Sequence, residues 1–360
     1  MLKTNTYLLF LNQFLFDNPA LLQKIAKRYP SLESFQRNET SIIPHLSPSK
    51  QTHYMYTKKT FNAEKYLEKL HALGITCLDI QNPLYPQQLK EIHTPPLLLY
   101  CKGNLEQLQQ DLIAIVGTRN PSHYGTDCCT HFTKTLCHYF GIISGLAAGI
   151  DSHALRTCLS EKKGCIAVIG TGLDIIYPKI NVSLSKEISE KGLILSEFPL
   201  GTKGLAHHFP QRNRIISGLC KGILVCEGKQ KSGSLITANY AIEQNKDVFT
   251  IPGNIFSDLS EGPNGLIKEG AKLCQSPQDI LDEYNILLKE QPNIISKNKR
   301  TSNLNEKEIQ LLTLLDEPEN SIDSLLEKTG YPLTTLLQTL SFLEIQGFIK
   351  TTNNQHYKRI

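Results

Sequence analysis

Short, near-continuous apolar runs punctuate the chain at Leu112–Val116, Gly141–Ser144, Cys165–Ile169, Leu193–Ser196, Gly222–Cys226 and Asp247–Ile251, and helical spacing fills most of the gaps. Apolar runs this short, without polar alternation, predict strands buried on both faces. Their alternation with helices predicts an α/β fold: an extended Rossmann-like, doubly wound and mostly parallel sheet. Ahead of these runs the pattern predicts a helix at Ala63–Leu73, a strand at Thr76–Leu78, and a strand from Pro95 to Tyr100 that ends at Gly103. Residues 1–60 show helical periodicity in Leu8, Leu11 and Leu15, then in Leu21, Leu22, Ile25 and Ala26. Asp17, Asn18 and Pro19 mark a helix start between them, so a small N-terminal helical module of SAM or helix-hairpin-helix type is expected.

Breaks in the pattern set the domain boundaries. Pro44–Lys59 is rich in Ser, Thr, His, Lys and Pro and reads as a linker or exposed turn, which puts a boundary near residue 60 and a sheet domain over 61–285. Residues 286–304 turn to Lys, Asn, Ser and Gln and read as a second linker. In 305–360 the spacing predicts helices at Glu306–Leu315, Ser321–Thr329 and Leu333–Ile345, then strands at Phe348–Thr351 and Gln355–Arg359 around Asn353 and Asn354. Three helices and a hairpin predict a winged-helix domain. Its third helix is expected to expose Thr334, Thr335, Gln338 and Ser341 but no Lys or Arg, so both a DNA contact and a protein contact stay open for it.

Ligands of doubly wound sheets bind beyond the carboxyl ends of the strands, so the chemistry is sought in those loops. After Gly222–Cys226 the run Ser232-Gly233-Ser234-Leu235-Ile236-Thr237 leads into a helix expected over Leu235–Gln244, with small residues that bring backbone N–H groups and hydroxyls to its N-terminus. Either a phosphate site or a plain helix cap fits that turn. Arg212, Asn213 and Arg214 lie upstream in FPQRNR, and a loop folded over the turn would put planar cationic donors beside it. The first core strand is followed by Gly117, Thr118 and Arg119, the second by Ser144, Gly145 and Gly149, and the third by Gly170, Thr171 and Gly172. Together these loops predict a groove lined with donors and few bulky side chains, suited to a phosphodiester backbone. The candidate phosphate-binding residues are therefore Gly117, Thr118, Arg119, Ser144, Gly145, Gly149, Thr171, Phe209, Arg212, Asn213, Arg214, Ser232, Gly233, Ser234 and Thr237. Phe209 could stack on bases or simply pack.

Dinucleotide binding fails on the motifs, because Ile175 stands where the third glycine after Gly170 and Gly172 belongs. No Walker A sequence occurs. The net charge of +4 in 360 residues favours anionic ligands only mildly. Ten cysteines without a C-x-x-C pair point to reduced, cytoplasmic usage. The adjacent His207 and His208 lack ligands at metal spacing, and no run reaches the roughly 18 apolar residues of a membrane span. No metal, cofactor or membrane partner is expected.

Taken together, Tyr85-Pro86 with Pro95-Pro96, GTRNPSHYG, SGLAAGID, AVIGTGLDIIYP, LSEFPLG, HHFPQRNRIISGL, SGSLITA and IPGN resemble the DprA/Smf family of DNA-processing proteins over roughly residues 75–280. The resemblance implies a Rossmann domain that binds single-stranded DNA, forms a homodimer, and hands the strand to the RecA recombinase during natural transformation, as a mediator without catalysis. One departure stands out: the family usually carries His four residues beyond Asp151, where this chain has Leu155, and His153 lies nearby. The competing enzyme class, Rossmann-like hydrolases that cleave nucleoside monophosphates, is marked by a P-G-G-x-G-T turn and a catalytic Glu. Lys231-Ser232-Gly233-Ser234 and Thr237-Ala238-Asn239 match neither.

Overall fold

The computed structural model describes residues 5–286, 305–315, 321–346, 348–352 and 356–359. By contact the chain divides into Met1–Leu287 and Leu288–Ile360.

In the first unit nine strands form one sheet: β1 (Ile75–Asp79), β2 (Leu98–Gly103), β3 (Leu112–Val116), β4 (Gly141–Ser144), β5 (Cys165–Ile169), β6 (Leu193–Ser196), β7 (Gly222–Val225), β8 (Asp247–Thr250) and β9 (Lys272–Leu273). Their order is β1-β2-β6-β5-β4-β3-β7-β8-β9, with β1, β2 and β6 paired antiparallel and all later pairs parallel. All six apolar runs become strands, and the ones over 222–226 and 247–251 end one residue early. Burial on two faces follows from the alternation of side chains. Ile113, Ile115, Cys165, Ala167 and Ile169 enter one core, whereas Leu112, Ala114, Val116, Ile166 and Val168 enter the other. The helices His123–Leu136, Ile150–Ser160 and Val182–Lys191 cover the first face, and His208–Leu219 and Gly233–Glu243 cover the second.

The chain steps from β3 outward to β6, crosses back under the sheet through His208–Leu219, and resumes beside β3 at β7. Strand order therefore reverses at β3, and the crevice beyond the carboxyl ends of β3 and β7 is where such folds take ligands.

The first sixty residues belong to the same compact unit as the sheet. The helix Thr6–Leu15 lends Leu8 and Leu9 to the sheet core and Phe10, Leu11 and Phe14 to an aromatic cluster with Phe35 and Tyr54. Asn12 fastens it further, accepting from the Tyr100 hydroxyl at 2.9 Å and donating to the Glu197 carbonyl at 3.3 Å. The segment expected as a linker is instead the helix Pro48–Thr60, with Pro48 at its first position. Polar composition hid it: only Tyr54 and Thr57, three residues apart, are buried.

The second unit contains the helices Glu306–Leu314, Ile322–Thr329 and Leu333–Ile345 and the antiparallel strands β10 (Ile349–Thr352) and β11 (His356–Arg359). Leu311, Leu325, Leu336, Leu340 and Leu343 make its core. The third helix exposes Leu333, Leu337 and Phe342 along with Thr334, Gln338 and Ser341, whereas Thr335 is half-buried. The expected linker, apart from residue 286, and the turn at 353–354 lie outside the described residues.

Candidate nucleic-acid interface

A groove of about 1060 Å³ opens at this reversal point, lined by residues from the loops that follow β3 to β8. Its near edge begins where β3 ends. The Thr118 N–H donates to the Glu227 carbonyl at 2.7 Å and the Thr118 carbonyl accepts from Ile150 at 3.1 Å, which ties the first loop to both neighbours. Gly149 makes that approach possible: its φ is +78°, and a methyl group there would stand 2.3 Å from the Thr118 carbonyl oxygen. The buried Glu227 carboxylate anchors the loop from below, accepting from the Ser122 N–H at 2.9 Å and its hydroxyl at 2.6 Å.

Arg212 forms the floor. It is only 4% exposed, its Nε has no hydrogen-bond partner, and none of its nitrogens makes a hydrogen bond among the described residues. The guanidinium lies against Gly145, where a methyl group would meet Nη1 at 1.7 Å. Asp151 supplies the compensating charge and accepts from the N–H groups of Gly145 at 3.1 Å and Ala147 at 3.4 Å. Burial pulls Arg212 down to about 10, opposed by Asp151 and reinforced by Arg119, so it stays cationic near neutral pH. Burial likewise raises Asp151, against the pull of Arg212 and of the two N–H groups. A desolvated cation with unused donors is a receptor for an anion that brings its own oxygens.

The walls add donors and rings. Arg119 is exposed and lies 5.6 Å from the centre of the Phe209 ring, which in turn lies 5.5 Å from Tyr177. Opposite, Ser232 caps the Gly233–Glu243 helix through the Ser234 N–H at 3.3 Å, and the Ser232 and Ser234 hydroxyls are 2.7 Å apart. Asn213 and Thr237 both donate to the Gly233 carbonyl at 3.4 Å. The turn is therefore a helix cap whose residues also line the groove.

The structure brings Gly117, Thr118, Arg119, Phe209, Arg212, Asn213, Ser232, Gly233, Ser234 and Thr237 to the groove. Gly145 and Gly149 lie behind it as close-contact positions. Ser144 and Thr171 are buried and hold the framework, donating to the carbonyls of Ile115 and Ile175. Arg214 does not join Arg212. The segment expected as a loop is the helix His208–Leu219, on which residues two apart point to different sides. Arg214 is 6% exposed and pairs with buried Glu197 at 2.6 Å. Leu155, standing where the family His was expected, is fully buried in the sheet core, and His153 is half-buried on the same helix. Sequence reasoning missed Asp151 and Glu227. Both are buried carboxylates beside a glycine, Asp151 two residues after Gly149 in the first turn of its helix and Glu227 just before Gly228 in the loop after β7.

A doubly wound sheet with a cationic, donor-lined groove at its reversal point, and with neither a dinucleotide nor a Walker turn, defines a class of Rossmann-like α/β proteins outside the dinucleotide and P-loop folds. Within that class the chain belongs to the DNA recombination-mediator protein A family, whose model matches residues 76–285. It is 47% identical to DNA processing protein DprA of Streptococcus pneumoniae over 205 residues, 57% of this chain and 73% of the relative. With DprA of Bacillus subtilis it shares 39% identity over 282 residues, 76% of this chain and 92% of that protein. The X-ray structure of the S. pneumoniae protein superposes with a TM-score of 0.65 at 37% identity, covering 79% of this chain and 99% of the other. A Helicobacter pylori DNA processing protein A, described for its single-stranded DNA binding mode, gives 0.54 at 28% identity, covering 59% and 95%. Membership in a family of recombination mediators places the chain outside the monophosphate-cleaving enzymes. No helix among the described residues is long and apolar enough to cross a membrane.

Proposed function

We propose that this protein binds single-stranded DNA without sequence preference, through the groove at the β3–β7 reversal point, and passes the strand to the RecA recombinase as a homodimer. The observation that carries the DNA contact is Arg212, a buried guanidinium whose Nε has no hydrogen-bond partner among the described residues, beneath a rim of Arg119, Lys231 and the Ser232–Ser234 turn. Phosphate oxygens match those donors, and the rings of Phe209 and Tyr177 give bases a face to meet. The RecA hand-over and the dimer rest on family membership.

Affinity for an oligonucleotide, followed by fluorescence anisotropy, should fall linearly on a log-log plot against salt, with a slope of about 0.7 for each phosphate neutralised. Equal affinity for single strand and duplex of one length would refute the single-strand reading. For the hand-over, the chain should speed RecA filament growth on the same strand, and an unchanged growth rate would remove that part.

A further inference from the structure

The loop after β8 carries two large apolar side chains in the open: Ile255 is 79% exposed and Phe256 is 90% exposed. Isolated exposed apolar residues are ordinary, but this pair is consecutive and the next three residues, Ser257, Asp258 and Leu259, line the groove. The loop is also firmly tied. Asn254 accepts the Phe256 N–H on its side chain at 2.9 Å and the Ser257 N–H on its carbonyl at 3.0 Å. Gly253 and Asn264 exchange bonds of 3.3 and 3.1 Å, and the Gly228 N–H donates to the Leu259 carbonyl at 2.7 Å. Asp258 pairs with Lys229 at 2.9 Å, and the exposed Lys231 borders the same wall.

We propose that Phe256, with Ile255 beside it, is a base-stacking platform for the single strand whose phosphates occupy the groove. This rests on the groove reading above and adds a second place where bases are held. Three observations favour bases over a protein partner. The aromatic side chain directly precedes three groove-lining residues, the exposed Lys231 lines the same groove as a donor for phosphate, and the tied loop limits the entropy lost on contact. The platform stands on the β8 side, away from Phe209 and Tyr177, so one strand can be gripped at both ends of the groove.

The test uses the full chain, a thymidine oligonucleotide, and an abasic strand of the same length and charge, at one salt concentration. Phe256→Ala should weaken binding of the intact strand by about 5- to 150-fold, the range of one stacked base, and should change abasic-strand binding less than about twofold. Because the chain contains no tryptophan, Phe256→Trp adds a sole indole whose fluorescence should be quenched by the intact strand and not by the abasic one. Equal losses on both strands, no loss on either, or an unquenched indole at saturation would overturn the platform while leaving the groove in place. A changed molecular mass for Phe256→Ala in light scattering would assign the residue to a contact between copies and likewise overturn it. A wild-type chain that binds neither strand would remove the groove reading itself, and the platform with it.

Discussion

Two arginines separated by one asparagine have opposite fates in this molecule. Arg212 faces the groove with its donors unused, whereas Arg214 spends its charge on Glu197 in the interior. Replacing Arg212 with Ala should cost about 1.5–3 kcal/mol of single-strand affinity, the range for hydrogen bonds to charged groups, and should lower the salt slope by about 0.7. Replacing Arg214 with Ala should instead destabilise the fold by about 3–5 kcal/mol in urea unfolding, because it strands a buried carboxylate. The reverse outcome for the pair would exchange their roles. His208 makes a pH statement of the same kind. It is 1% exposed, its ring centre lies 4.5 Å from that of Phe198 with the planes tilted by 32°, and burial depresses its proton affinity, with the His207 charge adding to the effect. Its folded value lies below its unfolded one, so its contribution is present above about pH 6.5 and is lost as pH falls through the folded value. The melting temperature should drop between pH 7.5 and 5.5, and His208→Phe should flatten that drop. A parallel pH dependence in the variant would refute it.

Elements matter here through what their ends touch. The Ser232–Ser234 turn, read alone, is a cap like many others, and it becomes part of a binding groove only because β7 lies next to β3. Ser122 caps its own helix through the Gly125 N–H at 3.1 Å and holds Glu227 in place. Ser122→Ala should therefore cost about 1–3 kcal/mol of stability in a denaturant titration, since it removes a cap and leaves a buried carboxylate short of a donor. A loss under about 0.5 kcal/mol would mean that the Ser122 N–H alone satisfies Glu227. Gly145→Ala probes the floor: a methyl group 1.7 Å from Arg212 Nη1 must displace the guanidinium. Single-strand affinity should fall about as far as for Arg212→Ala, and an unaltered affinity would show that the floor does not bind phosphate.

At the scale of the whole molecule, the second unit carries Lys350, Lys358 and Arg359 on its two strands, against the Arg119, Arg212, Lys229 and Lys231 that line the groove. Its third helix exposes leucines, hydroxyls and an amide, and carries no Lys or Arg. Residues 1–304 should therefore hold a single strand within about tenfold of the full chain at equal salt, a change under roughly 1.4 kcal/mol. A larger loss would make residues 305–360 a principal DNA site. The proposed homodimer doubles the grooves on a long strand, so long oligonucleotides should gain more affinity than their length alone accounts for. A monomer in light scattering at tens of micromolar, binding long strands undiminished, would remove the dimer.

The sequence by itself determined the six core strands, the parallel and two-faced character of the sheet, and most of the groove's loops. Each is a local consequence of apolar runs, helix formers and small residues at strand ends. What it could not determine is which residues meet. The helix that separates Arg212 from Arg214 was legible in the spacing of Ile215, Ile216 and Leu219, but its polar start disguised it as a loop. Pro48–Thr60 hid in the same way, because one buried Tyr and one buried Thr leave too faint a periodicity. The buried positions of Asp151 and Glu227, and an Arg212 Nε without a hydrogen-bond partner among the described residues, depend on strand order, which places the loops after β3, β4 and β7 side by side. Strand order is a global property of the packed sheet, and only the tertiary structure decides it.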